Sequence, residues 1–143
     1  FEYSCKKYSA SVVKVTDGDT AVFDVSLGFG VKLIDQKIRM FGINAPESRT
    51  RDPKEKMLGM EAKGKLTNIL SGSKEISLCV KPGKERGKYG RILAIVFVDA
   101  VNINQLMIDQ GYGVPYFGGK RSPKDFDSMP NKRYTKPKGE IAN

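Results

Sequence analysis

The sequence predicts a mainly β fold carrying two helices, and three observations support it. Turn residues separate five stretches that alternate or run apolar at strand length. Between the third and fourth of these, the apolar spacing changes from two to three-and-four. The chain has 143 residues, a length suited to one domain with one core.

Residues 8–16 are rich in β-branched side chains and read as the first strand. Asp17-Gly18-Asp19-Thr20 then signals a tight turn. Thr20 to Leu27 alternates and reads as the return strand, with Val22, Val25 and Leu27 available for burial. Gly28-Phe29-Gly30 turns the chain into a third strand over 31–43, broken near Asp35-Gln36. Ser48 to Lys56 carries Arg49, Arg51, Lys54 and Lys56 and is expected to be an exposed, mobile loop. Leu58, Ala62, Leu66, Ile69 and Leu70 share one helical face, and Gly72 ends it. Gly59 and Gly64 weaken its first turn.

Lys74 to Lys81 alternates again, with Ile76, Leu78 and Val80 on one side. A charged loop from Pro82 leads through Tyr89-Gly90-Arg91 into Ile92 to Val98. That run is nearly all apolar, as in a strand central to a barrel. Asn102 can cap a short helix holding Ile103, Leu106, Met107 and Ile108, closed by Gly111. Beyond Tyr116 the chain turns basic and includes Pro123, Pro130 and Pro137. The expected organisation is one domain over 1–118 and a basic, largely irregular tail over 119–143. Five strands with a helix between strands three and four, then a short second helix, is the element order of an OB-fold barrel. Such barrels often bind oligonucleotides, yet the fold assigns no reaction.

The net charge of +9 favours an anionic partner, nucleic acid above all. The chain contains no histidine. That excludes His-based general bases, Ser/His/Asp and Cys/His nucleophile systems and nearly all catalytic zinc sites. Acid–base work falls to Asp, Glu, Lys or Tyr, and any metal is held by oxygen: calcium, magnesium or manganese. Cys5 and Cys79 lack metal-ligand spacing. Two separate thiols are favoured over a bridge, which needs their strands to pair. No apolar run is long enough to cross a bilayer, so no membrane partner is expected. No targeting segment is visible, which tilts the expectation slightly toward an intracellular protein.

Chemistry gathers at Lys37 to Glu47, where a strand leaves the sheet. Arg39 lies in the strand, Asn44 and Glu47 follow it, and Ala45-Pro46 is a stiff spacer. Asp19 follows the first turn, and Arg91 opens the fifth strand. Cutting a phosphodiester without histidine needs a group that orients and deprotonates water; Glu47 can do this. Arg39 and Arg91 can bind phosphate oxygens with bidentate forks that strengthen as charge builds. Asp19, the Asn44 amide oxygen and a backbone carbonyl at Ala45 suit a hard cation, with Asp17 supporting Asp19 from behind.

These motifs, taken in register, resemble the staphylococcal (micrococcal) nuclease, or thermonuclease-like, family. Asp17-Gly18-Asp19-Thr20 is similar to its first metal-site turn. Arg39 to Glu47 is similar to its arginine-to-Pro-Glu segment, and Lys88-Tyr89-Gly90-Arg91 to its second arginine motif. Asn104 to Gly111 resembles its short second helix. The resemblance covers about residues 8–118 and implies a calcium-dependent nuclease that cuts DNA and RNA and leaves 3′-phosphates. It implies metal-ligand positions at Asp19, Asn44 and Ala45, the base at Glu47, and phosphate positions at Arg39 and Arg91. Lys88 and Tyr89 fall where the family contacts a terminal phosphate. The chain departs from the family in three places. Asn44 stands where the best-known member has Asp, which predicts weaker calcium binding or a shift toward magnesium or manganese. Tyr112, Tyr116 and Phe117 are the candidates for base stacking, Tyr116 foremost. The third helix has no counterpart in 119–143. The alternative reading is a catalytically silent nucleic-acid-binding barrel, and a basic protein-interaction module stands behind it. No protein partner is implied, and a monomer is expected.

Overall fold

The computed structural model describes residues 4–72, 74–82, 86, 90–127 and 129. The first strand, β1 (Lys6–Asp17), pairs antiparallel with β2 (Thr20–Gly28) on one side and β5 (Ile76–Val80) on the other. β2 continues into β3 (Val31–Met40), and β5 pairs with β6 (Ile92–Val98). A parallel ladder, Ile38↔Ile92 through Met40↔Ala94, joins β3 to β6 and closes five strands into a barrel. Closure satisfies the edges that an open sheet of these strands would leave unpaired.

The third strand ends at Met40, earlier than the alternation suggests. After Phe41-Gly42 the chain forms β4 (Ile43–Asn44), which leaves the barrel and pairs with β8 (Val114–Pro115). The break expected near Asp35 is a bulge rather than an interruption. Register shifts between Phe23 and Val25, and Asp35 takes φ 53° while its N–H donates to Asp24 Oδ1 at 2.8 Å. Beyond that bulge the β2–β3 hairpin leaves the core. Leu27, read from the sequence as available for burial, is 42% exposed there.

Helix α1 (Pro53–Leu70) closes one end of the barrel, and Leu58, Ala62, Leu66 and Leu70 are all buried. It begins inside the stretch expected to be a mobile loop. Asp52 caps it by accepting from the Glu55 N–H at 3.0 Å, and Pro53 occupies the first helical turn, where its missing N–H costs nothing. After β6, a two-residue strand, β7 (Val101–Asn102), leads into α2 (Ile103–Asp109), capped by Asn102 as predicted. Phe23, Ile38, Met40, Leu66, Leu78, Val96 and Met107 share one core inside the barrel and under the helices.

Two further findings depart from the sequence reading. Cys5 and Cys79 form a disulfide with a Cα–Cα separation of 5.4 Å, because β1 and β5 pair with Lys7 opposite Cys79. The described part of the tail is exposed and without helix or strand over 119–122, as expected, but it packs at its end. Pro123–Phe126 is a 3-10 turn, and Phe126 and Met129 are buried against Leu58 of α1. Among the described residues, no helix is long and apolar enough to cross a membrane.

Candidate active site

The site is assembled where β1 turns into β2, where β3 runs out into β4, and where β6 begins. Asp19 is 4% exposed, and the turn that carries it lies against α1. A Cβ on Gly18 would meet the Ala62 and Ala45 methyls at 2.7 and 3.1 Å, so glycine is what permits this approach. The Asp19 carboxylate then ties segments together. Oδ1 accepts from the Thr20 hydroxyl and Oδ2 from the Ala45 N–H, each at 2.8 Å. Arg39 Nη2 lies 3.6 Å from Oδ2, and the Asp19 carbonyl accepts the Met40 N–H at 2.8 Å.

Arg39 is 5% exposed and donates from Nη1 to the Met40 carbonyl at 2.8 Å. Burial pushes its guanidinium below the usual arginine value; the Asp19 carboxylate pushes it back up, while Arg121 and Arg91 add to the depression. The parallel β3–β6 register explains its pairing with Arg91. Arg39 lies opposite Leu93, and Arg91 is two residues earlier, on the same face of its strand. Arg39, Arg91 and the Tyr116 ring line one concave surface, with Arg39 Cζ 5.9 Å from the Tyr116 ring centre. Phe117 lies at its edge, whereas Tyr112 faces Lys65 of α1.

Glu47 is held by its backbone and left open at its side chain. Its N–H donates to Glu55 Oε2 at 3.0 Å. The next residue, Ser48, donates to Asp17 Oδ1 from its N–H at 3.0 Å and its hydroxyl at 2.7 Å. Asp17 therefore braces the Glu47–Ser48 segment. α1 passes so close that a Cβ on Gly59 would fall inside the Glu47–Ser48 peptide. The Glu47 side chain is exposed and shares a cleft with Asp19, Lys37, Arg91 and Arg121.

The structure thus brings together Asp17, Asp19, Arg39, Asn44, Ala45, Glu47, Arg91 and Tyr116. Lys88 and Tyr89 lie outside the described residues. Four contributors escaped the sequence reading. Glu55 and Ser48 clamp Glu47. Asn104 is buried, donates to the carbonyls of Phe41 and Ala94 and accepts from the Val96 N–H, fastening the end of β3 to β6. Arg121 reaches Asn44 Oδ1 at 3.4 Å from the tail. For Asn104 and Glu55 the sequence offers no signal beyond an interrupted apolar pattern. For Arg121 the signal was diluted among the basic residues of its segment.

As a cation site, the donors are oxygen only. Each Asp19 oxygen accepts one hydrogen bond and keeps a second lone pair. Asn44 Oδ1 already faces a positive group, the Arg121 guanidinium. Among the described residues, no three Asp, Glu, Cys or His side chains group tightly enough to hold a metal by themselves. This set fits a hard, water-rich cation held with a single full negative charge.

Comparison with known proteins bears on the same region. Residues 37–135 match the family described as staphylococcal nuclease homologue. An uncharacterized protein of Bacillus anthracis is 37% identical over 103 residues, covering 72% of this chain and 45% of its own length. A Haemophilus influenzae protein named as an uncharacterized endonuclease is 36% identical over 113 residues, covering 79% and 55%. An uncharacterized protein of Methanocaldococcus jannaschii is 27% identical over 139 residues, covering 83% and 64%. The chain spans about half the length of these relatives.

Proposed function

The chain belongs to the staphylococcal nuclease homologue family, and on that premise we propose that it is a metal-dependent, sugar-non-specific nuclease. It hydrolyses phosphodiester bonds of DNA and RNA, leaves 3′-phosphates and works as a monomer. The observation that carries this reading is the shared rim. An open carboxylate, Glu47, lines one cleft with a buried carboxylate, Asp19, and with Arg91, and Arg91 also lines the adjoining hollow with Arg39. The name of the Haemophilus relative points the same way.

The chain's own residues suffice to describe most of the reaction. Arg39 and Arg91 fork onto the non-bridging phosphate oxygens and gain strength as negative charge grows in the transition state. Arg39 needs no reorganisation, because Asp19 and the Met40 carbonyl already fix its plane. Glu47 orients a water in line with the leaving oxygen and takes its proton. A new P–O bond forms, the P–O5′ bond breaks, and the 5′-oxygen leaves with a proton from the open cleft. The Tyr116 ring offers a face on which a base can stack beside the clamped phosphate. Lys88 and Tyr89 are assigned to a terminal phosphate on the family's pattern. A hard divalent cation drawing on Asp19, Asn44 and the Ala45 carbonyl would supply Lewis-acid polarisation of the phosphate; calcium is the family's usual ion, with magnesium or manganese as alternatives.

Glu47→Gln keeps the shape and removes the base. Cleavage of single-stranded DNA should fall by about two to four orders of magnitude while affinity for uncut DNA stays within about twofold. Digestion at the wild-type rate would remove Glu47 from the chemistry.

A further inference from the structure

We propose that Arg121 is a third phosphate-binding guanidinium of this cleft, carried there by a strap of residues 116–129. The assignment rests on the nucleic-acid reading of the site. Arg121 comes from a segment with no strand or long helix of its own, yet the segment is fastened on both sides. Upstream, the Tyr116 hydroxyl donates to the Gly119 carbonyl at 2.7 Å. Downstream, Ser122 and Asp125 form a reciprocal cap on the 3-10 turn, and Phe126 and Met129 are buried on Leu58. Its guanidinium is thus delivered to a fixed place by an element of the fold.

That place is the centre of the site. Arg121 lines the concave surface shared by Arg39, Arg91 and Tyr116, and the cleft that holds Asp19 and Glu47. It also borders the hollow beside Asn44 and Ala45. Among the described residues its one polar partner is the neutral Asn44 Oδ1, at a long 3.4 Å. Glu47 faces the same cleft without pairing to it. A guanidinium with five donors and one long contact to a neutral acceptor has donors to offer an anion. The guanidiniums of Arg39, Arg91 and Arg121 line one hollow with no carboxylate among its lining residues, while Asp17, Asp19 and Glu47 lie in the adjoining cleft; an anion in that hollow relieves the three like charges. The anion that suits planar forks arriving from three directions is the phosphate of a nucleic-acid strand.

The test measures binding of a single-stranded oligonucleotide in EDTA across a salt series, where no cleavage is expected. Arg121→Gln should weaken binding about tenfold and reduce the magnitude of the salt slope by about 0.7, the signature of one lost phosphate contact. Arg121→Lys should keep the slope and lose part of the affinity, because it keeps charge but not the fork. Lys32→Gln removes the same charge on the exposed hairpin and should leave the slope unchanged. An unchanged slope in Arg121→Gln, or equal losses in Arg121→Gln and Lys32→Gln, overturns the assignment. A wild-type chain that binds but never cleaves overturns the hydrolytic reading instead, and Arg121 is then judged by the slope alone.

Discussion

Asn44 is the residue on which the proposed metal dependence turns. It is 3% exposed, and its neighbour Ala45 is bound to Asp19, so it sits beside the site's buried carboxylate. An amide in that place gives an oxygen but no charge, and its oxygen faces Arg121. Both features weaken the hold on a divalent cation. Asn44→Asp should therefore lower the calcium concentration for half-maximal cleavage by about tenfold, as read from a calcium titration. An unchanged midpoint would take Asn44 out of the metal site. At this scale, Asp19, Arg39, Glu47 and Arg91 of the candidate site were singled out in the sequence, because a chain without histidine offers few groups for phosphodiester cleavage. Arg121 was not, since a basic residue in a basic, proline-containing stretch carries no pattern. Glu55 was hidden inside a segment whose charge resembled a solvated loop.

At the scale of elements, α1 does more than cover the barrel end. It presents Glu55 to the Glu47 N–H and brings Gly59 against the Glu47–Ser48 backbone. The two helix glycines thus have opposite roles. Gly59 permits a close approach, whereas Gly64 is exposed with open space around it. Gly59→Ala should cost about 1–3 kcal/mol in a denaturant midpoint and reduce cleavage, because the clash displaces the segment bearing the base. Gly64→Ala should add up to about 1 kcal/mol through helix propensity alone. Equal behaviour of the two would refute the close approach. The sequence marked both glycines as weak points, since spacing shows where a helix lies but not what passes beside it. The same limit explains the late start assigned to α1. Its first turn is set by the Asp52 cap and Pro53, not by apolar spacing.

For the molecule as a whole, the element order was legible and the closure was not. Alternation reveals strands one at a time, but the parallel β3–β6 ladder depends on residues more than fifty positions apart. That ladder brings Arg39 and Arg91 to one hollow, so the proposed phosphate clamp depends on closure of the barrel. The Cys5–Cys79 bridge likewise needed the β1–β5 pairing to be known before separate thiols could be set aside. The packing at the end of the tail's described part gave no signal, because two buried side chains, Phe126 and Met129, are too few to make a periodic pattern. With a net charge of +9 over the whole chain, the protein should attract nucleic acid whether or not it cuts. Binding alone therefore does not test the central claim. Digestion of single-stranded DNA and RNA with calcium, magnesium, manganese or EDTA does. Both polymers should be cleaved with a divalent cation, leaving ends that bear 3′-phosphate, and neither should be cleaved in EDTA. Cleavage that survives EDTA would contradict the metal-dependent site, and binding without cleavage under every metal would contradict the enzyme.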